Sequence, residues 1–577
     1  MNRFARVTTY LLLSIAFVSC SNDEESSPER ATANALKSSA GGALLEYVPA
    51  DTPYFFGSLA PMDDDVLAAM REINEAVLKG YGTMIAGAMQ NARADVDDET
   101  AEAMDQFGPV AVKLAEFFED GRLDELGIGE DITGGLYGVG LLPVMRIALE
   151  DPDQFEKGVS ELEGSAGQAM STATIDGVSY RYAVNEEMRL VIAREGDYAV
   201  ATFLPDGASD SVLKQVLGID KPSSNLESSD KISGLSAKHG MMPQGLGFID
   251  IVGLTNTFTS EQTGVNAELL ALADYDNSEI SDVCKAEIRE MAEVMPQIDL
   301  GYTRMEPGRF DLLTVFNLRN DIASSMAGLS AAVPGLGGSM EGLFALGFSL
   351  NLPAMREFIG DRASALEEDP FECEYFADLQ ESVADMQEAA NQPLPPVADS
   401  LRGFKVIIDS MDDFDIAGGA PPSVNGRALI AIEDAPSLLL MGQMFMPQLA
   451  ELELEPNGEV LELPPGLVPM PTDPAYVALT NDAIALGIGE SARDSLDEMF
   501  TAPVAAAPPL TSFSYDVAAY MKIIGDVVEQ AGQNDDDVDT EAMSQMFRAM
   551  QEHLDRTWVD VVVTDNGIEM PYVVTLK

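Results

Sequence analysis

The spacing of apolar residues switches between two periods along the chain, and this predicts a mixture of helices and strands. After Asp63, apolar residues recur every three or four positions as far as Met84, which indicates an amphipathic helix capped by the aspartate. The same spacing predicts a helix over residues 99–118. Between residues 171 and 203 the period falls to two, which predicts two hairpins, the first turning at Asp176-Gly177.

The same patterns predict the remaining elements of the first half. Strands are expected over residues 47–59, 134–150 and 246–251, helices over 209–217 and 281–295, and a closing hairpin over 298–305 and 309–317. Within the second of these strands, the glycine-rich residues 136–143 lack the helix start that a bound phosphate would need. They are therefore interpreted as a strand with close backbone packing.

A repeated pentapeptide indicates that the chain contains two related halves. Residues 147–151 read IALED and residues 430–434 read IAIED, an offset of 430 − 147 = 283. Each pentapeptide ends a predicted strand and precedes a predicted helix, over residues 155–162 and 437–449 respectively. The sequence therefore predicts an α+β fold of two tandem repeats, residues 44–335 and 336–577, each an antiparallel sheet packed with amphipathic helices.

The repeated acids of these pentapeptides are Glu150-Asp151 and Glu433-Asp434. Two carboxylates recurring at one place could mark a duplicated active site. They also stand where a strand ends and a helix begins, and a carboxylate there can accept the free N–H groups of the first helical turn. We interpret them as helix caps.

The N-terminal residues have the pattern of an export signal. Arg3 and Arg6 precede an apolar run from Tyr10 to Val18 that is about half the length needed to span a bilayer. Residues 1–19 are therefore predicted to be a signal peptide. Residues 20–43 lack periodicity and are rich in Ser, Ala, Asp and Glu, which predicts a flexible tether.

The end of this signal, Phe17-Val18-Ser19-Cys20, resembles the lipobox of Gram-negative bacterial lipoproteins. The resemblance implies that Cys20 receives a lipid and becomes the first residue, and Ser21 implies retention at the outer membrane, on its periplasmic face or at the cell surface. The VPADTPYFFGSL segment, with the repeated architecture, resembles duplicated α+β envelope proteins without an assigned function. That resemblance implies a fold type and a location, and it transfers no functional residues.

The charge of the chain excludes one class of partner. The chain has 97 acidic and 33 basic residues, a formal net charge of −64. Loss of Arg3 and Arg6 with the signal peptide would leave 31 − 97 = −66. Such a chain repels nucleic acid and anionic headgroups. The acidity is consistent with adaptation to salt or with cation binding, and the sequence alone leaves both open.

The other two cysteines, Cys284 and Cys373, remain as a pair once Cys20 is assigned to the lipid. Each lies on an apolar stripe of a predicted helix, so two free buried thiols are the alternative to a bond between them. Because an exported protein meets an oxidising compartment, we predict a disulfide.

No arrangement of residues indicates catalysis or a metal centre. The two histidines, His239 and His553, have no signalled nucleophile or oriented acid. The acidic segments 535–546 and 274–285 have spacings that approach a calcium loop but lack its glycine and its final glutamate. The methionine clusters Met241-Met242 and Met441, Met444 and Met446 could bind copper, but their helical spacing favours core packing. We therefore predict no catalytic residue, no metal site and no cofactor.

Together these features predict a lipid-anchored envelope protein that binds or scaffolds without catalysis. Its expected partners are the membrane, through the N-terminal lipid, and an apolar ligand or an envelope protein bound against the sheets. The alternative is a periplasmic hydrolase that uses paired carboxylates.

Overall fold

The computed structural model describes residues 40–71, 122–166, 169–185, 188–412, 423–464, 467, 474–532, 547–548 and 550–577. These residues form two compact units. Unit 1 contains the described residues up to Leu254, with Glu261–Asp276 and Asp299–Phe310. Unit 2 contains Thr255–Ser260, Asn277–Ile298 and the described residues from Asp311 to Lys577. Both units combine antiparallel strands with helices, which confirms the predicted α+β class.

The strands follow the predicted alternation closely. They are β1 (Tyr54–Ser58), β2 (Gly134–Val139), β3 (Leu142–Ala148), β4 (Ser171–Ile175), β5 (Val178–Asn185), β6 (Met188–Glu195), β7 (Tyr198–Pro205), β8 (Leu246–Asp250), β9 (Gln297–Glu306), β10 (Arg309–Asn317), β11 (Phe344–Ser349), β12 (Leu401–Asp412), β13 (Ser423–Ile432), β14 (Leu461–Glu462), β15 (Ala475–Leu479), β16 (Ala483–Ile488), β17 (Thr511–Asp516), β18 (Leu554–Thr564) and β19 (Gly567–Leu576).

The helices lie between these strands. They are α1 (Ala40–Leu44), α2 (Pro152–Ala166), α3 (Asp210–Leu217), α4 (Lys231–His239), α5 (Ile251–Thr259), α6 (Gly264–Leu272), α7 (Asp282–Val294), α8 (Asn320–Met326), α9 (Leu352–Glu368), α10 (Ala377–Glu381), α11 (Val383–Asn391), α12 (Pro396–Ser400), α13 (Ala435–Phe445), α14 (Ala492–Thr501) and α15 (Val517–Gly532). A further helix occupies residues 64–71 at the edge of the described residues.

Four predicted elements differ from the structure. Tyr47 lies in a 3-10 turn, because the strand begins only after the turn around Pro53. Residues 134–150 form a hairpin, in which Gly140 takes the positive φ of 59° that the turn requires. Helix α13 ends at Phe445, four residues early, before Pro447. Helix α1 begins inside the predicted tether, where Leu44 is buried.

Several predictions fall on residues that the structure does not describe. These are the signal peptide 1–19, Cys20, the first nineteen residues of the tether after Cys20, the helix over 99–118 and the acidic loop around residue 535.

The pairing of strands defines one antiparallel order in each unit. In unit 1 the neighbours run β4-β5-β6-β7-β3-β2-β1-β8. In unit 2 they run β14-β15-β16-β13-β12-β11-β17-β18-β19. Strand β1 therefore lies between β2 and β8, and β11 lies between β12 and β17.

In unit 2, α14 and the segment 331–343 cover one face of the sheet. Val333, Leu336 and Met340 of the segment and Leu496 of α14 share a buried cluster with the inward side chains of β11, β12, β13 and β16. Polar contacts fix the segment in place. The Asp560 carboxylate accepts the Gly338 N–H at 3.0 Å, and Ser349 Oγ accepts the Ala331 N–H at 3.2 Å.

Unit 1 is built around a buried arginine on β3. The Arg146 side chain is 0% exposed. It donates to the Leu217 carbonyl at 2.8 Å and to the Tyr137 hydroxyl at 3.2 Å, and it lies 3.1 Å from the Glu195 carboxylate. Its guanidinium also lies 4.0 Å from the centre of the Tyr47 ring. One side chain therefore ties together α3, β2, β6 and the chain before β1.

We expect Arg146→Ala to lower the free energy of unfolding of unit 1 by about 3 kcal/mol, because it leaves the Glu195 carboxylate and the Leu217 carbonyl without their donor. Urea unfolding followed by circular dichroism measures the change. Arg71→Ala is the control, since Arg71 and Glu130 form an exposed pair whose loss should cost less than about 1 kcal/mol. Equal losses in the two variants would contradict the role given to Arg146.

Candidate functional site

The outer face of the unit 2 sheet carries a continuous row of apolar side chains. Strand pairing places Tyr572, Val559, Phe513, Leu346, Val406, Ala428 and Leu486 side by side across β19, β18, β17, β11, β12, β13 and β16. A second row includes Phe404 opposite Phe348, with ring centres 6.3 Å apart. This face is opposite the one covered by α14 and the segment 331–343.

Six large side chains of these rows remain open to solvent. These side chains are 36–39% exposed, and we refer to them together as the apolar sheet face: Leu346, Phe348, Phe404, Val406, Leu486 and Tyr572. At about 200 Å² per large side chain, they leave roughly 450 Å² of apolar surface uncovered. A patch of that size on a folded protein commonly marks an interaction site.

The sequence carries a signal for this face that the search for motifs did not use. Strands of an antiparallel sheet with one solvated face normally alternate apolar and polar residues. In contrast, β11 reads FALGFS, β13 ends ALIAI and β16 reads AIALGI. Continuous apolar runs such as these are typical of strands that are covered on both faces. In unit 2, however, the outer face of these strands is partly open to solvent.

A second apolar surface lies at the end of α13. The side chains of Met444 and Phe445 are each 81% exposed, and Leu440 and Met446 are also exposed. The prediction that Met444 packs in a core is therefore wrong, because the helix turns its Leu438 and Leu439 side inward instead. Met241, in contrast, is buried as predicted.

His239 does have an oriented acid, which sequence spacing did not reveal. Its Nε2 lies 3.2 Å from Oδ2 of Asp299, sixty residues away, and both side chains are buried. The pair joins the end of α4 to β9. Because the pair is buried and links two elements of unit 1, its geometry supports a structural role.

A polar groove in unit 2 lies between α9, α11 and α12. It has a volume of about 650 Å³ and is lined by Arg356, Glu357, Asp361, Gln387 and Asp399, among others. Arg356 donates to the carbonyls of Ala390 and Gln392, so it holds the end of α11 in place. The groove is open and polar, and it does not exclude the water that surrounds its carboxylates.

The repeated acids lie at helix starts, as predicted. Asp151 Oδ1 accepts the Gln154 N–H at 3.0 Å at the start of α2. Asp434 Oδ1 accepts the Ser437 N–H at 3.2 Å at the start of α13. The two aspartates therefore cap helices, whereas Glu433 pairs with Arg402 and Glu150 lies near Asp131, whose pKa is raised by burial and by the Glu150 charge.

The two remaining cysteines lie together in unit 2. The sulfur atoms of Cys284 and Cys373 are 2.06 Å apart, and their Cα atoms are 4.7 Å apart. Cys284 lies in the first turn of α7, whereas Cys373 is extended and precedes a 3-10 turn, so its predicted helical position is wrong. The Glu287 carboxylate accepts the Cys373 N–H at 3.0 Å, which adds a polar contact beside the sulfurs.

The described residues offer no cluster of three or more histidine, cysteine or acidic side chains placed to bind a metal. Within the same part of the chain, no helix is both long and apolar enough to cross a membrane.

No family model matches the sequence, and no curated protein matches it. The candidate site therefore rests on the geometry of the apolar sheet face.

A buried lysine lies under the covered face of the same sheet. Lys405 on β12 is 3% exposed, and burial, helped by the positive charge of Arg427, lowers its pKa to about 8. The side chain fills the space beside Gly335, where an added Cβ would lie 2.6 Å from Nζ. The lysine is thus enclosed by the protein, with little room for a substrate beside it.

We expect Lys405→Met to stabilise the protein below pH 8. Below pH 8, Lys405 is protonated in both the folded and the unfolded protein. Burial penalises its charge only in the folded protein, by on the order of 3 kcal/mol. The gain should shrink as pH rises from 8 to 10.5, because the folded-state lysine loses its proton first. Urea unfolding at several pH values measures it. Lys214→Met, which removes a partly exposed lysine paired with Asp176, should give no such gain. A gain that is independent of pH would contradict the explanation.

Proposed function

We propose that this protein is a non-catalytic, lipid-anchored protein of the outer membrane that binds the apolar surface of an envelope protein against its apolar sheet face. The observation that carries the proposal is the row of apolar side chains across seven neighbouring strands of unit 2, in which Leu346, Val406, Leu486 and Tyr572 are exposed. Removing this surface from water would contribute to binding in proportion to its area, at about 25 cal/mol per Å² before the costs of association.

The shape of this surface favours a protein over a small apolar ligand. Small ligands bind in concave pockets that cover most of their surface. The apolar sheet face is instead an open surface of side chains on neighbouring strands. A cavity between α2 and the β5–β6 strands has a volume of about 20 Å³, enough for little more than one water, and the large groove beside α9 is polar. An open apolar face fits the apolar core of a protein interface.

We also propose that the two units arose by duplication. Six strands support this, because their orders correspond: β6-β7-β3-β2-β1-β8 in unit 1 and β15-β16-β13-β12-β11-β17 in unit 2. The pentapeptides occupy the same place in both orders, at the end of β3 and of β13. The helices that follow differ, since α2 is charged whereas α13 carries no charged residue. The two units therefore differ in the surface that they present at this point of the fold.

To test the binding face, a benzophenone amino acid is introduced in place of Phe404 in the full chain in living cells. We expect ultraviolet light to cross-link it to a specific envelope protein, identified by mass spectrometry, because Phe404 is central on the face and partly exposed. The matched control replaces Tyr375, which is more exposed but lies outside the face. Adding Phe348→Asp should reduce the cross-link at least about tenfold, since a carboxylate cannot be buried without a partner.

Some outcomes of the cross-linking experiment would contradict the proposed binding face. Equal cross-linking from the two positions, or a cross-link that survives Phe348→Asp, would contradict recognition by the face. Cross-linking to lipid alone, or recovery of a small apolar molecule with the native protein, would favour the small-ligand alternative.

The lipid anchor is tested separately, on Cys20. We expect cells given a fatty-acid probe to label the full chain, and Cys20→Ser to abolish that label, because a thiol is the group that receives the lipid. The label is read on the purified protein in a gel. A Cys284→Ser and Cys373→Ser double variant is the control and should stay labelled. Undiminished labelling of Cys20→Ser would contradict the anchor.

A further inference from the structure

The end of α13 exposes apolar side chains on a helix that the rest of unit 2 holds firmly. We refer to four of these residues together as the apolar tip: Leu440, Met444, Phe445 and Met446. At the other end of the helix, Asp434 caps the first turn and the Ala435 N–H donates to the Asn481 carbonyl at 3.0 Å. Leu438 and Leu439 pack against Ile432 and Leu479. The tip therefore projects from a fixed base.

The sequence around the tip has no charged residue. Residues 435–450 read APSLLLMGQMFMPQLA, bounded by Glu433 and Asp434 on one side and by Glu451 and Glu453 on the other. Another uncharged stretch, residues 323–340, is explained by the core, since its Leu329, Val333 and Leu336 are buried. The stretch at α13 differs because half of its apolar side chains face solvent.

We propose that the apolar tip inserts into the interface of a zwitterionic phospholipid bilayer. Helix α13 has eleven residues and is about 16 Å long, too short to span the roughly 30 Å hydrocarbon core. It can instead bury its end about 5–10 Å deep, at the boundary between headgroups and acyl chains. The flanking acids keep the rest of the body outside, and the chain's negative charge disfavours anionic lipids.

The chemistry of the tip favours a bilayer over a protein groove. A specific protein interface surrounds its apolar core with a polar rim that makes hydrogen bonds. Within the uncharged stretch, the polar side chains close to the tip in the described residues are Gln443 and Gln448, and the Gln443 side-chain amide already donates to the Leu449 carbonyl. Met and Phe side chains that project from a helix end need only an apolar medium. This contact goes beyond the proposed protein-binding face and does not depend on acylation of Cys20.

The test places a fluorescent indole at the tip of the full chain. Phe445→Trp protein is mixed or reconstituted with phosphatidylcholine vesicles, with or without bromine atoms on the acyl chains near the headgroups. We expect bromine to quench roughly half or more of the added fluorescence, since the indole would lie within the depth range of interfacial side chains. The wild-type protein, with Trp558 as its single tryptophan, gives the background.

Two variants make the outcome specific. Tyr375→Trp introduces an indole at another well-exposed position of unit 2 and should not be quenched. Adding Met444→Asp to Phe445→Trp should reduce the quenching at least about threefold, because a carboxylate opposes insertion. This substitution is at a solvent-exposed position, so it should leave the fold intact by circular dichroism.

The proposal is overturned if Phe445→Trp is quenched no more than Tyr375→Trp. It is equally overturned if the Phe445→Trp indole of vesicle-bound protein keeps the emission of an indole in water. It is also overturned if the indole emission shifts to the blue with protein concentration in the absence of lipid, which would indicate a second copy on the tip. Fatty-acid labelling of Cys20 and cross-linking at Phe404 are read independently. Failure of insertion is therefore distinguishable from failure of the proposed function.

Discussion

The structure of unit 2 depends on one constraint, which is that successive side chains of a strand point to opposite faces of the sheet. Strands β11 and β16 and the last five residues of β13 are apolar at nearly every position, so this alternation produces two apolar faces. The segment 331–343 and α14 cover one of them. The other is covered only in part, by α13 at Ile484. The proposed partner contact and the tip of α13 both follow from that incomplete cover.

The chain has few basic residues, and several of its arginines join elements of the fold. With 33 basic against 97 acidic residues, most carboxylates have no basic partner and must be solvated. Several arginines instead hold elements together by making several hydrogen bonds each. Arg181 joins β5 to Glu163 and Glu156 of α2, and Arg189 joins β6 to Asp206 after β7. Arg146 does the same in the core of unit 1, where burial makes the loss of one partner more costly than it is at a surface pair.

Short-range sequence patterns predicted much of the fold because hairpins and amphipathic helices are set by neighbouring residues. The hairpins β4–β5 and β6–β7, the helix α3 and the caps at Asp151 and Asp434 all lie where the patterns place them. Some errors have a local cause, such as Pro447 after α13, and another falls where a long-range contact overrides a local pattern. Tyr47 was assigned to a strand by its neighbours, but its ring packs against Arg146, ninety-nine residues away.

The sequence by itself therefore determined the class of fold, the alternation of elements and the excess of negative charge, because these depend on composition and local period. Only the tertiary structure decided which apolar residues remain exposed. Phe348 and Ala345 belong to the same apolar strand, and Met444 has the same helical spacing as a core residue. Burial is a property of what packs against a side chain, and the elements that cover one face and leave another open come from distant parts of the chain.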